Sequence, residues 1–213
     1  MIGLMCKAPE GSKTRLAAGI GAERALALAR AFLADGAALA AEAAARCDTR
    51  AVAFAAGTVA LPGWDVRPQA KGDLGARMGA AIAAAGGPAL LLGTDAPTLP
   101  VALAELAWSA VRGGADAAVV PTLDGGYCVL AMARPLPALL DDMPWSTPGL
   151  MAATLARAAG LTLVVLPAWH DVDEAADLAL LRLTLDGQAP AGCAVLPPFA
   201  APATRAAFRL AEG

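Results

Sequence analysis

The sequence predicts an α/β protein, a single-domain three-layer αβα sandwich with a mainly parallel sheet. Short apolar runs alternate along the chain with alanine- and leucine-rich segments of helical length, the order expected for parallel strands joined by right-handed crossovers. Charged clusters directly follow several of the apolar runs, so we expect them at the carboxyl edge of the sheet, where ligands bind. With 213 residues, 58% of them apolar, the chain can form one domain with a substantial core.

The apolar runs and the helical segments can be placed in order along the chain. Strands are predicted at residues 2–6, 51–55, 66–68, 90–92, 117–121, 127–132 and 161–166. Helices are predicted at residues 23–45, from about 76 to 85, 101–111, 136–140, 149–159 and 175–185. Residues 1–186 are expected to form the domain, and residues 187–213 a Pro/Ala-rich extension with a short helix near 203–210.

Composition excludes several classes of protein. Aromatic residues make up only 4% of the chain and the net charge is -3, so a basic, base-stacking surface for nucleic acid is not expected. The longest charge-free stretch, residues 187–204, contains four prolines, which argues against a spanning helix. Lys7 comes too early for the apolar region of a signal peptide. The four cysteines lack the spacing of a zinc site, so we expect a cytoplasmic protein with reduced thiols.

A cationic loop joins the first strand to the helix that follows it. Lys7, Lys13 and Arg15 fall within nine residues, with Gly11 between them. Backbone N–H groups at a helix N-terminus favour an anion, so this loop is predicted to bind phosphates. The spacing is not that of a Walker A loop or of G-x-G-x-x-G. A solvated basic turn is the alternative interpretation.

A second glycine-containing loop precedes the helix near residue 76. Lys71 and Gly72 are predicted to approach the phosphates of a ligand, and Arg77 to reach them from the first turns of the helix. The alternative for Arg77 is an exposed ion pair with Asp73, four residues earlier in the chain.

Two carboxylates follow apolar strands. Asp95 comes after the run at 90–92, and Asp171 after the run at 161–166. Mg²⁺ is usually held by one or two carboxylates together with substrate phosphates, so we predict that Asp95 and Asp171 bind Mg²⁺ or Mn²⁺. For Asp95 the alternative is a turn cap. Asp173 is interpreted as a helix N-cap, and His170, the one histidine of the sequence, as a surface residue rather than a catalytic base.

The segment after the fifth strand supplies the remaining candidates. In Asp124-Gly125-Gly126-Tyr127, the glycines would let the backbone approach a substrate while Asp124 faces the site as a catalytic carboxylate. The same residues could simply form the turn between two antiparallel strands. Trp145 is predicted to wall the substrate pocket, with packing as its alternative role.

Taken in order, these residues resemble the rSAM/selenodomain-associated transferase family. The matching motifs span roughly residues 1–180: Lys7-Ala8-Pro9, Lys13-Thr14-Arg15-Leu16, Gly72-Asp73-Leu74-Gly75 with Arg77-Met78, Gly93-Thr94-Asp95-Ala96-Pro97, Asp124-Gly125-Gly126-Tyr127, Trp145-Ser146-Thr147 and Asp171-Val172-Asp173. The resemblance implies a GT-A fold of the nucleotide-diphospho-sugar transferase type, similar also to phospholactate guanylyltransferases and molybdenum-cofactor nucleotidyltransferases. It further implies that Asp95 is the metal-binding acid, that Asp171 is a second metal ligand and that the loop at residues 7–15 binds nucleotide phosphates.

Three functions remain open from the sequence. The family resemblance favours a metal-dependent glycosyltransferase that takes a nucleotide-diphospho-sugar and a small-molecule acceptor. A nucleotidyltransferase that releases pyrophosphate is favoured by the basic first loop and by the single acid in Thr94-Asp95-Ala96, where an Asp-x-Asp would be expected of a glycosyltransferase. A catalytically impaired nucleotide-binding protein is the third alternative.

Overall fold

A seven-stranded sheet forms the centre of the protein in a computed structural model, which describes the backbone of residues 1–212 and the side chains of residues 1–209. The strands are β1 (Ile2–Lys7), β2 (Ala51–Ala56), β3 (Val66–Pro68), β4 (Ala89–Leu92), β5 (Ala117–Pro121), β6 (Tyr127–Met132) and β7 (Leu163–Val165). Their spatial order is β3-β2-β1-β4-β6-β5-β7, and β6 pairs antiparallel with both neighbours while the other pairs are parallel. The predicted mainly parallel α/β sheet is confirmed.

Helices cover both faces of this sheet, as predicted for a three-layer sandwich. They are α1 (Thr14–Ile20), α2 (Ala22–Arg46), α3 (Leu74–Ala83), α4 (Val101–Arg112), α5 (Leu150–Arg157), α6 (Leu178–Leu185) and α7 (Pro202–Glu212). Two single-turn 3₁₀ helices lie at Pro137–Leu139 and Ala175–Asp177. Within the described part of the chain, no helix is both long enough and apolar enough to cross a bilayer.

Alternation along the central strands divides the core into two layers. In β4, Leu90 and Leu92 pack on the face covered by α2 and α4, whereas Ala89 and Leu91 pack on the face covered by α3. The four residues are almost fully buried because both faces of a parallel sheet are covered by helices. The uninterrupted apolar run at 89–92 is therefore typical of a central strand.

The C-terminal segment packs against the body of the domain. The N–H of Ala194 donates to the carbonyl of Ala168 at 2.8 Å, and α7 lies on α2. Asp35, in the middle of α2 and only 2% exposed, accepts hydrogen bonds from the first N–H groups of α7, those of Ala203 at 3.2 Å and Thr204 at 2.6 Å. A buried carboxylate thus caps the terminal helix.

The topology brings the chemistry-bearing segments to one edge. Six strands point their carboxyl ends in the same direction, and antiparallel β6 begins at that edge with Tyr127. The loops that follow β1, β3, β4 and β7 therefore meet there, at the position where ligands bind in open α/β sheets.

Candidate active site

A cleft of about 510 Å³ opens at the carboxyl edge of the sheet. Residues from β1, β4, β6, α1 and α3 line it, together with the loop around residue 145. Of the predicted site residues, those that line the cleft are Lys7, Lys13, Arg15, Arg77, Asp95, Tyr127 and Trp145. Those outside its lining are Gly11, Lys71, Gly72, Asp124, Gly125, Gly126 and Asp171. The same cleft therefore contains cations from the start of the chain, an acid from its middle and an aromatic wall.

Lys13 is the most constrained charge in the cleft. Its backbone has φ 55° and ψ 40°, a left-handed conformation that costs a residue with a side chain about 1 kcal/mol, at the N-cap of α1. Its ammonium contacts Asp95 Oδ1 at 2.6 Å, Asp173 Oδ1 at 2.8 Å and the carbonyl of Val172 at 2.6 Å. Burial lowers the pKa of Lys13, but Asp95 and Asp173 outweigh it, so the pKa lies above its usual value.

Asp173 is a site residue that the sequence interpretation missed. Its carboxylate accepts from Lys13 and also from Arg15 at 2.5 Å, and it lines the cleft. Burial opposes its ionisation, but Lys13 and then Arg15 more than compensate, so the pKa of Asp173 is lowered. The predicted N-cap role is wrong, because Glu174 and Asp177 form the capping box and Asp177 accepts from the N–H of Asp173 at 2.8 Å.

Asp171 lies beside this arrangement, among like charges. Burial raises its pKa to about 7, and the neighbouring carboxylates of Asp124, Asp173 and Asp95 add to the effect. Among the described side chains, no Lys or Arg forms an ion pair with Asp171. The group therefore carries an uncompensated charge when it ionises, the situation in which a bound cation is most stabilising.

Asp124 stabilises the turn between β5 and β6. Its carboxylate accepts from the Thr122 hydroxyl at 2.5 Å and from the N–H of Gly126 at 3.0 Å. Gly125 has φ 94°, and a Cβ there would lie 2.3 Å from the carbonyl oxygen of Pro148. The two glycines thus permit the turn and its close backbone packing. Asp124 lies outside the cleft lining and acts on the site through its electrostatic effect on Asp171.

An aromatic pair forms one wall of the cleft. The rings of Tyr127 and Trp145 meet edge to face, with centroids 6.2 Å apart and planes at 84°. Gly75 makes room for this wall, because a Cβ on it would lie 2.9 Å from Trp145 Nε1 and 1.9 Å from the carbonyl oxygen of Leu140. Burial raises the pKa of Tyr127, so its phenol stays neutral.

The loop before α3 is organised by capping. Asp73 accepts from the N–H of Ala76 at 2.8 Å, and Arg77 donates through Nε to the carbonyl of Gly72 at 2.9 Å. Arg77 therefore lies over its own loop and does not form the alternative ion pair with Asp73. A neighbour that sequence patterns did not reveal is Gln69, whose amide donates to the carbonyls of Cys6 and Phe54, both at 2.9 Å, at the cleft margin.

His170 is not a surface residue, and that expectation was wrong. It is 1% exposed, and its Nε2 lies 3.3 Å from the Thr98 hydroxyl and 3.1 Å from the Thr184 hydroxyl. Burial lowers the pKa of His170, so the imidazole is neutral. In this form it connects Thr184 of α6 to Thr98 in the loop after β4. The ring is closed off from the cleft lining and has no access to a substrate there.

The family of this chain follows from its sequence. A family model described as "Uncharacterized protein conserved in bacteria (DUF2064)" matches residues 26–147, which is more than half of the chain. The chain belongs to the DUF2064 family. A comparison with curated proteins gave no match.

Two solved structures similar to this DUF2064 chain have the same fold. A Desulfovibrio desulfuricans G20 protein, provisionally described as a nucleotide-diphospho-sugar transferase, is 27% identical with a TM-score of 0.79, over 99% of this chain and 94% of the other. The rv0371c homologue from Mycobacterium sp. strain JC1 is 18% identical with a TM-score of 0.52, over 87% and 96% of the two chains, and shows the fold alone. A Methanothermobacter thermautotroptrophicus nucleotidyl transferase, 20% identical over 85% and 96%, has a TM-score of 0.39, too low to carry an argument.

Two acids of this DUF2064 chain could hold a metal ion. Among the described residues, no set of three or more Asp, Glu, His or Cys side chains could hold a metal ion. Mg²⁺ often takes only one or two carboxylates and completes its shell with phosphate oxygens and waters. Asp95 lines the cleft, where it pairs with Lys13, and Asp171 stands among like charges without a basic partner, so these are the two carboxylates that could hold such an ion.

Proposed function

We propose that this protein is a metal-dependent transferase that takes a nucleotide-diphospho-sugar donor and a small-molecule acceptor. The observation that carries the proposal is that Lys7, Arg15 and Arg77 line the same cleft as Asp95 at the carboxyl edge of the sheet. Cations neutralise phosphate oxygens directly, whereas a carboxylate can face a phosphate only with a metal ion between them. The 27% identical transferase-like structure and the resemblance to the rSAM/selenodomain-associated transferases support the same assignment.

The side chains at the rim of the cleft have separate tasks in this proposal. Lys7 and Arg15 are exposed cations that contact the diphosphate, and Arg77 approaches it from α3. Lys71, Gly11 and Gly72 lie on the flanking loops, from which backbone N–H groups and an ammonium can close over the phosphates.

The acids hold the cation and orient the donor. Asp95 and Asp171 would hold Mg²⁺ or Mn²⁺, and the ion would stabilise the charge that develops on the leaving diphosphate. Asp124 raises the negative potential around Asp171 from the β5–β6 turn, and we keep it as a candidate catalytic carboxylate. Gly125 and Gly126 shape that turn beside the pocket.

The aromatic wall suits the part of the donor beyond the phosphates. Tyr127 and Trp145 present large apolar faces with a polar tip, and Leu91, Leu130 and Met78 extend the apolar lining. A cleft of about 510 Å³ has the size of a typical small-ligand pocket. We therefore place the sugar or the base against Tyr127 and Trp145.

A nucleotidyltransferase is the second candidate. The loop after β4 carries one acid, Asp95, followed by Ala96, which is 8% exposed, so no second carboxylate stands beside Asp95 in that loop. Several cations at the start of α1 also suit the greater charge of a nucleoside triphosphate. In this case the acceptor carries a phosphate and pyrophosphate leaves.

A thermal-shift panel separates these candidates. UDP-glucose, GDP-mannose, ATP, GTP and CTP would each be tested with EDTA, Mg²⁺ or Mn²⁺. For the proposed function, a nucleotide sugar with Mn²⁺ raises Tm by roughly 5–10 °C at 100 times its Kd, and triphosphates do not. Stabilisation by a triphosphate with Mg²⁺, followed by pyrophosphate release, would establish the second candidate instead. If no nucleotide stabilises the protein under any condition, the chain is a transferase relative without this activity.

A further inference from the structure

Lys13 occupies a cage of three oxygens at the base of the cleft. The cage consists of one carboxylate oxygen each from Asp95 and Asp173 and the carbonyl oxygen of Val172, at 2.6, 2.8 and 2.6 Å from Nζ. The two loops that supply these oxygens are also joined directly, because the N–H of Val172 donates to the carbonyl of Asp95 at 2.9 Å. Carboxylate and carbonyl oxygens are the ligands that hard divalent cations prefer.

The three contacts fix the ammonium in place. Lys13 donates hydrogen bonds to the carbonyl of Val172 and to Asp173 Oδ1, and it forms a close ion pair with Asp95 Oδ1. The side chain is only 6% exposed, and its Nζ also lies 5.7 Å from the centre of the Phe32 ring. In this position the Lys13 ammonium is surrounded by oxygens of the protein rather than by a phosphate, and Asp95 already has a cation.

Departure of Lys13 from the cage is coupled to arrival of another cation. If Lys13 left and no other cation arrived, the two partly buried carboxylates of Asp95 and Asp173 would lose their shared counter-charge. Leaving partly buried charges without a counter-charge is strongly destabilising. Arg15 pairs with Asp173 and Glu174, so it compensates the charge of Asp173 but not that of Asp95. Because the stem of lysine is long and flexible and Lys13 stands at the start of α1, its ammonium can move toward the phosphates without moving the sheet.

We propose that Lys13 is a resident cation of the cleft, which holds Asp95 and Asp173 together while the site is empty. A divalent ion that arrives with a diphosphate and binds Asp95 and Asp171 would displace the Lys13 ammonium, which then moves to the phosphate oxygens. The inference rests on the proposed function and specifies how the site changes when it fills. It predicts that an empty cleft resists a bare metal ion, whereas metal and diphosphate enter together.

Direct Mn²⁺ titration tests the competition. Free Mn²⁺ would be followed by electron paramagnetic resonance, without nucleotide, for the wild type, Lys13→Gln and Arg30→Gln. Removal of a charge 2.6 Å from Asp95 should tighten Mn²⁺ binding by Lys13→Gln about 10-fold or more. Arg30→Gln is the matched control, since Arg30 is an exposed cation that pairs with Glu10 outside the lining of the cleft, and the Mn²⁺ affinity of this variant should change by less than about 3-fold. Unchanged or weaker Mn²⁺ binding by folded Lys13→Gln would overturn the proposal.

The wild-type protein provides a second test, which is needed if Lys13→Gln does not fold. The sequence contains three lysines, Lys7, Lys13 and Lys71, so ¹⁵Nζ resonances can be assigned with few variants. The buried Lys13 ammonium should give a sharp signal without metal, which moves when Mg²⁺ and inorganic pyrophosphate are added together and stays when either is added alone. A signal that does not move at saturation would show that Lys13 is a fixed structural cation.

The two tests separate this inference from the proposed function. If the nucleotide panel is negative, the proposed transferase function falls, while the Mn²⁺ and pyrophosphate titrations still decide whether Lys13 exchanges. If a nucleotide binds with metal and the Lys13 signal does not move, the function stands and the exchange is refuted.

Discussion

Ionisation of Asp171 is unfavourable in the folded protein, and this effect can be measured as a pH dependence of the free energy of unfolding. Because its pKa in the folded protein is about 7 and that of an unfolded aspartate about 3.8, stability falls as pH rises between these values. We expect Asp171→Asn to be more stable than the wild type at pH 8 in EDTA, by about 2 kcal/mol or roughly 4–8 °C in Tm. The advantage should shrink steadily as pH falls toward 4, and a variant less stable at pH 8 would contradict the assigned environment.

Arg15 and Arg30 form a matched pair for the phosphate contact. Both are surface arginines, 63% and 62% exposed, and both pair with carboxylates, but only Arg15 lines the cleft. We expect Arg15→Ala to weaken donor binding about 10-fold, the typical loss of one charge-assisted hydrogen bond. Arg30→Ala should bind the donor as the wild type does. Calorimetric titration of the donor with Mn²⁺ measures both, and equal effects would remove Arg15 from the site.

Single residues show where sequence patterns stop being informative. The association of cations with Asp95 could be predicted because both follow strands whose carboxyl ends share an edge. Asp173 could not be distinguished from a cap, because local spacing does not reveal that Glu174 and Asp177 do the capping. The burial of His170 depends on Thr98 and Thr184, which are distant in sequence.

At the scale of elements, α3 and the aromatic wall meet through a glycine. An added Cβ at Gly75 would lie 1.9 Å from a backbone carbonyl oxygen, whereas at Gly79 it would lie 3.4 Å from a flexible Leu140 methyl group. We expect Gly75→Ala to lower the free energy of unfolding by about 2–4 kcal/mol and to change tryptophan fluorescence, since Trp145 must move. Gly79→Ala should be neutral or up to about 1 kcal/mol more stable, since alanine favours a helix. Urea unfolding of both variants checks the contrast, and similar losses would refute it.

Elements were predicted well where one pattern determines them. The strands Ala117–Pro121 and Tyr127–Met132 match their predicted bounds, because apolar runs end at an Asp-Gly-Gly turn. The strand order around β4 and β6 lies beyond such patterns, since it depends on which crossover passes over which face of the sheet. The predicted helix at residues 175–185 begins with a 3₁₀ turn, Ala175–Asp177, because the capping box tightens its start.

At the scale of the whole molecule, Asp35 connects the C-terminal segment to the body. Its carboxylate accepts from two N–H groups at the start of α7 while it is 2% exposed. We expect Asp35→Ala to lower the free energy of unfolding by about 2 kcal/mol, since buried amides lose their partner, and Asp35→Asn to lose less because its carbonyl still accepts. Thermal unfolding measures both, and a wild-type Tm for Asp35→Ala would contradict the connection.

The division into residues 1–186 and 187–213 remains a proposal at this scale. The hydrogen bonds of Ala194, Phe199, Ala203 and Thr204 to the body favour one cooperative unit over an independent extension. Calorimetry of the full chain should then show one transition with equal calorimetric and van't Hoff enthalpies. Two resolved transitions would show that the segment unfolds separately.

The most direct test of the account is calorimetric titration of Asp95→Asn with Mn²⁺ and the nucleotide that stabilises the wild type most. Asp65→Asn is the control, because Asp65 is also exposed to solvent but pairs with Arg67 outside the cleft. We predict that Asp95→Asn remains folded by circular dichroism and loses metal-dependent binding at least about 100-fold, the effect expected when a metal ligand is removed. An affinity of Asp95→Asn for the nucleotide within twofold of that of the wild type would contradict the claim that this cleft binds a diphosphate through a metal ion.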